Sequence, residues 1–234
     1  MNIDPDLAAA VASGIGVEVP SGSRTQALRA ANERLLNGWE TFGTTGLPGR
    51  RRRSSIDVSD PLNQLKAPAT VTAKGRKVAI LAADGVDSVS LDRVMQALAK
   101  ESAVGEVVSL RQGALTADNG TVVMAQHAVL TMPSVVYDGV FVPRGTASVG
   151  ALVADGDAIH YIAEAYKHCK PIAADEEAGA LLEAAGLAVE TADDAHGVVL
   201  GRTTSEARAL PARFVAALGQ HRFFNRADAT NTPA

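Results

Sequence analysis

Apolar residues follow two different periods along this chain, and the change of period marks the start of an alternating fold. The run from Val78 to Ala83 is apolar without interruption and ends at the turn-forming pair Asp84-Gly85. An unbroken run of this length is typical of a strand buried on both faces of a parallel sheet. From Ser88 to Lys100 the apolar positions recur at helical spacing, which predicts a helix. Strand, short turn and helix make the first half of a βαβ unit.

The same alternation continues through the rest of the chain. Further strands are predicted at Glu106–Leu110, Gly139–Val142, Pro171–Ala174, Leu187–Glu190 and Gly197–Leu200, with a hairpin joining 114–116 to 121–124. Further helices are predicted from an N-cap at Asp157 to His168, over Glu176–Ala185, and from Glu206 or Pro211 to Gly219. Because strands and helices of this length alternate, we predict an α/β fold, a doubly wound sandwich with a mainly parallel sheet.

The residues before Lys74 lack this alternation. Two short helices are predicted within an N-terminal extension, 1–38, and residues 39–73 have the glycine and proline content of a linker arm. Trp39 and Phe42 are the aromatic exceptions in this arm, and we expect them to contact a protein partner or a second copy of the chain.

Three further predictions complete the organisation of the chain. The main domain is assigned to 74–226, and the polar composition of 227–234 predicts a disordered tail. The run Arg50–Arg53 is interpreted as a solvated charge run, with a phosphate or acidic partner as the alternative; nucleic acid is not expected there.

Composition and charge exclude several classes of protein. Of 234 residues, 47% are hydrophobic, enough for a core without disulfides, and the single cysteine, Cys169, excludes an intramolecular disulfide. The net charge of −4 provides no general attraction to nucleic acid or anionic membranes. No apolar run approaches the roughly 18 residues of a membrane span, and the acidic N-terminus does not resemble a secretory signal. We therefore expect a cytoplasmic protein with no membrane partner.

Four stretches of the main domain resemble the C-terminal domain of large-subunit haem catalases: GRKVAILAADGVD, YDGVFVPRG, AIHYIAEAYKHCKPIAA and GQHRFFNR. Upstream, IDPDLAAAVASGIGV and SDPLNQLKAP resemble the segments that lead out of the catalase core, whereas residues 21–54 depart from the pattern. The resemblance implies a flavodoxin-like, three-layer α/β/α domain of the class I glutamine amidotransferase-like superfamily, which also contains the ThiJ/PfpI proteins.

The resemblance does not extend to a haem site. A haem catalase needs a distal His and Asn and a proximal Tyr that ligates iron. The tyrosines here are Tyr137, Tyr161 and Tyr166, and none lies in an Arg-x-x-x-Tyr context. The chain is also too short to contain the catalase barrel. We expect no haem or other cofactor and no peroxide dismutation by this chain alone.

The resemblance to ThiJ/PfpI enzymes implies a catalytic site that this sequence lacks. Those enzymes place a cysteine on a strand-to-helix elbow, beside an acid and oxyanion-binding N–H groups. Here the elbow is Asp175-Glu176-Glu177, Ser88 occupies the position of the acid, and Asp87 is expected to point elsewhere. The usual glycine pair is Arg144-Gly145, and Cys169 precedes its strand, at the wrong end for an elbow. We therefore predict no catalytic residue.

The remaining polar candidates carry weaker expectations. We expect Asp175, Glu176 and Glu177 to begin a helix, where carboxylates favour the helix dipole. A helix N-terminus near Gly145–Ser148 is a candidate anion site, with Gly145, Thr146 and Ser148 as contacts. No metal site is predicted, because the histidines lack ligand spacing; they are His127, His160, His168, His196 and His221.

The function that follows is an accessory role. The leading hypothesis is a non-catalytic domain acting as a stabilising, oligomerisation or chaperone-like module linked to oxidative-stress defence. One alternative is a diverged ThiJ/PfpI-type hydrolase or amidotransferase that uses Glu176 or another group. The other is a fragment of a haem catalase, whose parent protein carries out hydrogen-peroxide dismutation.

Overall fold

The computed structural model describes residues 71–226, together with the isolated positions Ala10, Ser13, Gly14 and Asn63. By its internal contacts the chain divides into two units, Met1–Leu62 and Asn63–Ala234, and the fold described below belongs to the second. The predicted N-terminal helices, the arm with Trp39 and Phe42, the arginine run and the tail lie outside the described residues, apart from those positions and 71–73.

Residues 71–226 contain eight strands and five α-helices. The strands are β1 (Lys77–Leu81), β2 (Val104–Ser109), β3 (Gly113–Thr116), β4 (Val122–Ala125), β5 (His127–Ala128), β6 (Gly139–Val142), β7 (Ile172–Asp175) and β8 (Val198–Gly201). The helices are α1 (Ser88–Lys100), α2 (Thr146–Val153), α3 (Gly156–Lys167), α4 (Gly179–Ala184) and α5 (Thr204–Gln220). None of these helices is long and apolar enough to cross a bilayer.

The main sheet has six strands in the order β5-β2-β1-β6-β7-β8, and every neighbouring pair is parallel. The hairpin β3–β4 forms a separate antiparallel ribbon, as predicted. The α/β prediction is confirmed. The strand order departs from chain order after β1, so the carboxyl ends of β1 and β6 flank the crevice where ligands bind in open parallel sheets.

Strand β1 explains the unbroken apolar run that the sequence presents. Val78, Ile80 and Ala82 point into a core shared with α1 and α5. The intervening residues, Ala79, Leu81 and Ala83, point into a second core, shared with α2, α3 and α4. Successive side chains of a strand point to opposite faces, so a strand covered by helices on both sides needs an apolar residue at every position.

The strand predicted at Leu187–Glu190 is wrong. Helix α4 ends in a left-handed Gly186 (φ +80°), whose N–H donates to the carbonyl of Glu183, while Leu187 N donates to the carbonyl of Leu182. These two bonds are the Schellman arrangement that closes a helix. Leu187 is buried as part of that closure, and a 3₁₀ turn, Val189–Thr191, follows. Burial, and not strand pairing, explains the apolar run.

Other boundaries also differ from the predictions. The N-cap of α3 is Asp155, whose side chain accepts from Ala158 N at 2.9 Å, and the predicted cap Asp157 lies in the first turn. The segment after β7 begins as a 3₁₀ turn, Glu176–Ala178, before α4. Helix α5 begins at Thr204 and runs through Pro211.

The C-terminal motif GQHRFFNR fastens the chain to the amino ends of β7 and β8. Arg226, buried, donates to the carbonyl oxygens of Tyr166, Lys170, His196 and Gly197, and its guanidinium lies 4.4 Å from the ring centroid of Tyr166. These contacts lie at the end of the sheet opposite the crevice, so they do not take part in its chemistry.

We predict that Phe214→Ala destabilises the protein by about 3–5 kcal/mol, because Phe214 is wholly buried and packs edge-on against Phe141 at 5.5 Å between ring centroids. Urea unfolding followed by circular dichroism measures the change. The matched control is Phe224→Ala, since Phe224 is 42% exposed, and its effect should stay within about 0.5 kcal/mol. Equal losses in the two variants would contradict the assignment of the core.

Candidate functional site

The candidate site is the crevice beyond the carboxyl ends of β1, β6 and β7. These three strands are parallel neighbours in the sheet, so the segments that follow them meet at the same end of the sheet. Asp87 follows β1, Arg144 follows β6, and Glu176 follows β7. Two carboxylates, Asp87 and Glu176, and one guanidinium, Arg144, therefore lie at the carboxyl ends of these strands.

Arg144 connects the two acids. Its Nε lies 3.1 Å from Asp87 Oδ2, and its Nη1 donates to Glu176 Oε1 at 3.0 Å. The side chains are partly buried, at 22% exposure for Arg144, 19% for Asp87 and 30% for Glu176. Burial acts to lower the pKa of Arg144, but the neighbouring carboxylates more than offset it and raise that pKa. The guanidinium therefore stays charged between two carboxylates.

The expectation that Asp87 points away from this place is wrong. Asp87 is the N-cap of α1, and its Oδ1 accepts from Ser90 N at 2.6 Å. An N-cap side chain folds back over the start of its helix to reach the free N–H groups. That orientation leaves Oδ2 directed at Arg144.

The elbow after β7 keeps a backbone conformation that few side chains adopt. Glu176 has φ +48°, in the left-handed region, which costs a non-glycine residue on the order of 1–3 kcal/mol. The strain lies in the backbone of Glu176, and the side chain of the same residue is ion-paired with Arg144. The strand-to-helix elbow predicted after β7 is therefore a strained position, and its residue is a glutamate and not a thiol.

The expectation that Asp175 begins a helix is wrong. Asp175 is the last residue of β7. It is 3% exposed and makes no capping hydrogen bond. Its Oδ2 accepts from Ser90 Oγ at 2.5 Å, and its Oδ1 is buried without a hydrogen-bond partner among the described residues. Burial raises the pKa of Asp175, while the Ser90 bond and the Arg144 charge act against that rise.

The predicted anion site at the start of α2 is occupied by the chain itself. Gly145 N donates to Glu177 Oε1 at 3.0 Å, and Thr146 Oγ1 lies 3.4 Å from the same oxygen. Ser148 is buried, and its Oγ accepts from Ala83 N at 2.8 Å. Glu177 is therefore the anion at this helix N-terminus, where the helix dipole favours negative charge.

Gly145 is required for the close approach of two loops. It has φ +133°, and a Cβ there would lie 2.5 Å from the carbonyl oxygen of Gly85. The glycine that remains of the expected pair thus brings the segment after β6 against the segment after β1. Its N–H, the candidate oxyanion donor, already serves Glu177.

The other predicted residues lie apart from the elbow. Ser88 N donates to Asp118 Oδ1 at 2.9 Å. Cys169 precedes β7, at the amino end of the sheet, and its Sγ is 3.8 Å from the carbonyl oxygen of Lys167. Among the described residues, no group of three or more His, Cys, Asp or Glu side chains could hold a metal ion.

Sequence reasoning missed the connecting roles of Asp87, Ser90 and Arg144. The spacing Asp-x-x-Ser at the start of α1 is a signal for an N-cap, and it could have placed Asp87. The cation at Arg144 follows a buried strand and had two acids available at neighbouring strand ends. Arg144 contacts these two acids only because the strand order makes the three strands neighbours in the sheet.

Comparison with known proteins identifies relatives of this domain. The family described as the C-terminal domain found in long catalases matches residues 74–228. Catalase HPII of Pseudomonas aeruginosa is 34% identical over 230 residues, which cover 98% of this chain and 27% of that protein. Catalase HPII of Mycobacterium avium is 34% identical over 217 residues, 89% of this chain and 31% of that protein. The chain thus spans roughly a quarter to a third of these relatives' length.

Solved structures agree on the fold. Drosophila melanogaster DJ-1beta matches with a TM-score of 0.56 and 13% identity, covering 68% of this chain and 100% of that one. Oxidized Toxoplasma gondii DJ-1 matches with a TM-score of 0.54 and 14% identity, covering 68% and 96%. At these identities the likeness concerns the fold alone, and it confirms the predicted ThiJ/PfpI-like, flavodoxin-like architecture.

We predict that Asp175→Asn changes how stability depends on pH. A carboxyl whose folded pKa is raised adds stability below its unfolded pKa, near 4, and that contribution is lost as the pH rises through the folded value. Asn does not titrate, so the free energy of unfolding should shift in favour of the variant as the pH rises from about 4 to 7.

Urea unfolding at a series of pH values measures this shift. Asp92→Asn, on the exposed face of α1, is the matched control. A shift in favour of the wild type as the pH rises, or a difference for Asp175→Asn that matches the control throughout, would contradict the burial of this carboxyl.

Proposed function

The chain belongs to the family of C-terminal domains found in long catalases, and we propose that it is a non-catalytic accessory module. In this proposal the domain uses its surface to stabilise an assembly, to form oligomers or to act as a chaperone-like module. Any of these roles would support peroxide defence. Peroxide dismutation would be an activity of the longer relatives, of which this chain spans only a part.

The observation that carries the proposal is the state of the elbow. A nucleophile on such an elbow needs a free reactive group and unoccupied N–H donors for the oxyanion. Here the elbow side chain, Glu176, is ion-paired to Arg144, and the N–H of Gly145 serves Glu177. The elbow side chain and the candidate oxyanion donor are thus both engaged by groups of the same chain.

A hydrolase is the second candidate, and the left-handed φ of Glu176 favours it, because strained backbone is frequent at catalytic positions. The two functions differ in a simple assay. A hydrolase would cleave p-nitrophenyl acetate above background and would lose that rate in Glu176→Ala but not in Glu183→Ala, an exposed control on α4. The accessory module would show the same rate as background in all three proteins.

The remaining alternative is that this sequence is a piece of a longer haem catalase. In that case the same surface role would be exercised within the parent protein. Whether the coding sequence continues upstream into a haem core decides between the two, and an absorbance spectrum of the purified chain shows whether it binds haem itself.

We expect the full chain to suppress the aggregation of citrate synthase, a heat-labile enzyme, when light scattering is followed on heating. The double variant Trp39→Ala, Phe42→Ala should suppress it less, because aromatic side chains supply large apolar contact area. Phe224→Ala, which removes an exposed ring elsewhere, is the control. Unhindered aggregation in the presence of the wild-type chain would count against a chaperone-like role, and equal protection by the double variant would count against the arm.

A further inference from the structure

A group of basic side chains lies at the amino end of the sheet, opposite the crevice. Arg76 precedes β1, Asp138 precedes β6, and His221 and Arg222 follow α5. Because β1 and β6 are parallel neighbours in the sheet, the residues that precede them come together. The three basic side chains all approach Asp138, and we call these four residues the Asp138 cluster.

Asp138 is the one carboxylate that the basic side chains of the cluster contact within the described part of the chain. Arg76 Nη1 donates to Asp138 Oδ1 at 3.2 Å, and His221 Nε2 lies 3.4 Å from the same oxygen. The other oxygen, Oδ2, accepts from Lys77 N at 2.9 Å. One negative charge is therefore shared by several donors.

Arg222 reaches main-chain oxygens instead of a carboxylate. Its Nη1 donates to the carbonyl of His221 at 3.0 Å and to the carbonyl of Asp138 at 3.5 Å. Its Nε and Nη2 make no hydrogen bond to any residue that the structure describes. Arg111, Arg144 and Arg213, by contrast, each pair with at least one carboxylate. A partly buried charge without such a partner is costly.

The electrostatics of the cluster indicate an excess of positive charge. Burial lowers the pKa of Arg222, and the charge of Arg76 lowers it further, against the opposing effect of Asp138. Burial also lowers the pKa of His221, and both arginines act in the same direction. The pKa of buried Lys170 is lowered to about 8, first by burial and then by the charge of Arg222. The single carboxylate thus does not compensate the cations around it.

A strained turn fixes the positions of His221 and Arg222. His221 has φ +72° and ψ −58°, and Arg222 N donates to the carbonyl of Gln220 at 2.9 Å. These values describe a γ-turn of the rare, strained kind. The next residue, Phe223, is buried, and its N donates to the carbonyl of Cys169 at 2.8 Å. Because the fold already holds this segment in place, binding of a ligand would require little further ordering.

We propose that the Asp138 cluster binds a doubly charged oxyanion of the phosphate class. The planar guanidinium of Arg222 keeps two donors, Nε and Nη2, that match two oxygens of such an anion. Arg76 adds a second fixed positive charge. The side chain of His221 is 40% exposed, so the cluster is open to solvent. A dianion supplies the negative charge that Asp138 alone does not, whereas a metal cation would be repelled by the arginines.

Calorimetric titration of the full chain with sodium phosphate at pH 7.5, at an ionic strength held constant with sodium chloride, tests the proposal. We expect saturable binding of one phosphate per chain. Arg222→Met should raise the dissociation constant at least about tenfold, because two charge-assisted hydrogen bonds are lost. Arg208→Met, which removes an exposed arginine from α5, is the matched control and should stay within about twofold of the wild type.

The opposite change at Asp138 makes the test specific. Asp138→Asn keeps the size of the side chain and removes the competing negative charge, so it should lower the dissociation constant at least about threefold. Arg222→Lys keeps the charge without the planar fork and should bind phosphate less tightly than the wild type but more tightly than Arg222→Met. Urea unfolding checks that each variant folds, and the Arg222 variants decide the question if Asp138→Asn does not fold.

Phenyl phosphate, a monoester, identifies the source of the group. Tighter binding of phenyl phosphate would place the phosphate on a larger molecule, and equal or weaker binding would make free phosphate the ligand. Three results would overturn the proposal: no saturable binding of either compound, equal losses in Arg222→Met and Arg208→Met, or a folded Asp138→Asn variant that binds phosphate no more tightly than the wild type. The accessory role does not depend on this site, and the aggregation assay tests it separately.

Discussion

The guanidinium of Arg144 ties together the segments that follow three neighbouring strands. It bonds to Asp87 after β1 and to Glu176 after β7, and it stands itself at the end of β6. Without that cation, two carboxylates would face each other across a crevice with only partial access to water. The α1 cap and the strained elbow are both ion-paired to this one side chain.

The crevice is thereby closed by groups of its own chain. Glu177 accepts from the start of α2, where a substrate oxyanion would otherwise bind, and Asp175 is enclosed beneath the elbow with Ser90. Carboxylates at helix N-termini are stabilised by the dipole and by free N–H groups. The polar groups at the ends of β1, β6 and β7 therefore stabilise the junction of three loops.

Much of the fold could be predicted from the sequence, because burial acts locally through periodicity. The apolar residues of β1 require helices on both faces, and the spacing in α1 follows from one buried stripe. Leu187 shows where this reasoning fails, since a buried apolar residue that closes a helix is as hydrophobic as one in a strand, and the sequence pattern does not distinguish them. The site was harder to predict. Contacts such as Arg144 with Asp87 join loops that are distant in sequence, and they depend on strand order, which periodicity does not determine.

A double-mutant cycle tests most directly whether Arg144 and Glu176 hold the elbow together. The free energy of unfolding is measured for the wild type, Arg144→Met, Glu176→Gln and the double variant. A favourable coupling of about 0.5–1 kcal/mol is expected for a partly exposed ion pair that shares a second carboxylate. Additive effects, or a Glu176→Gln variant more stable than the wild type, would contradict a structural role for the elbow.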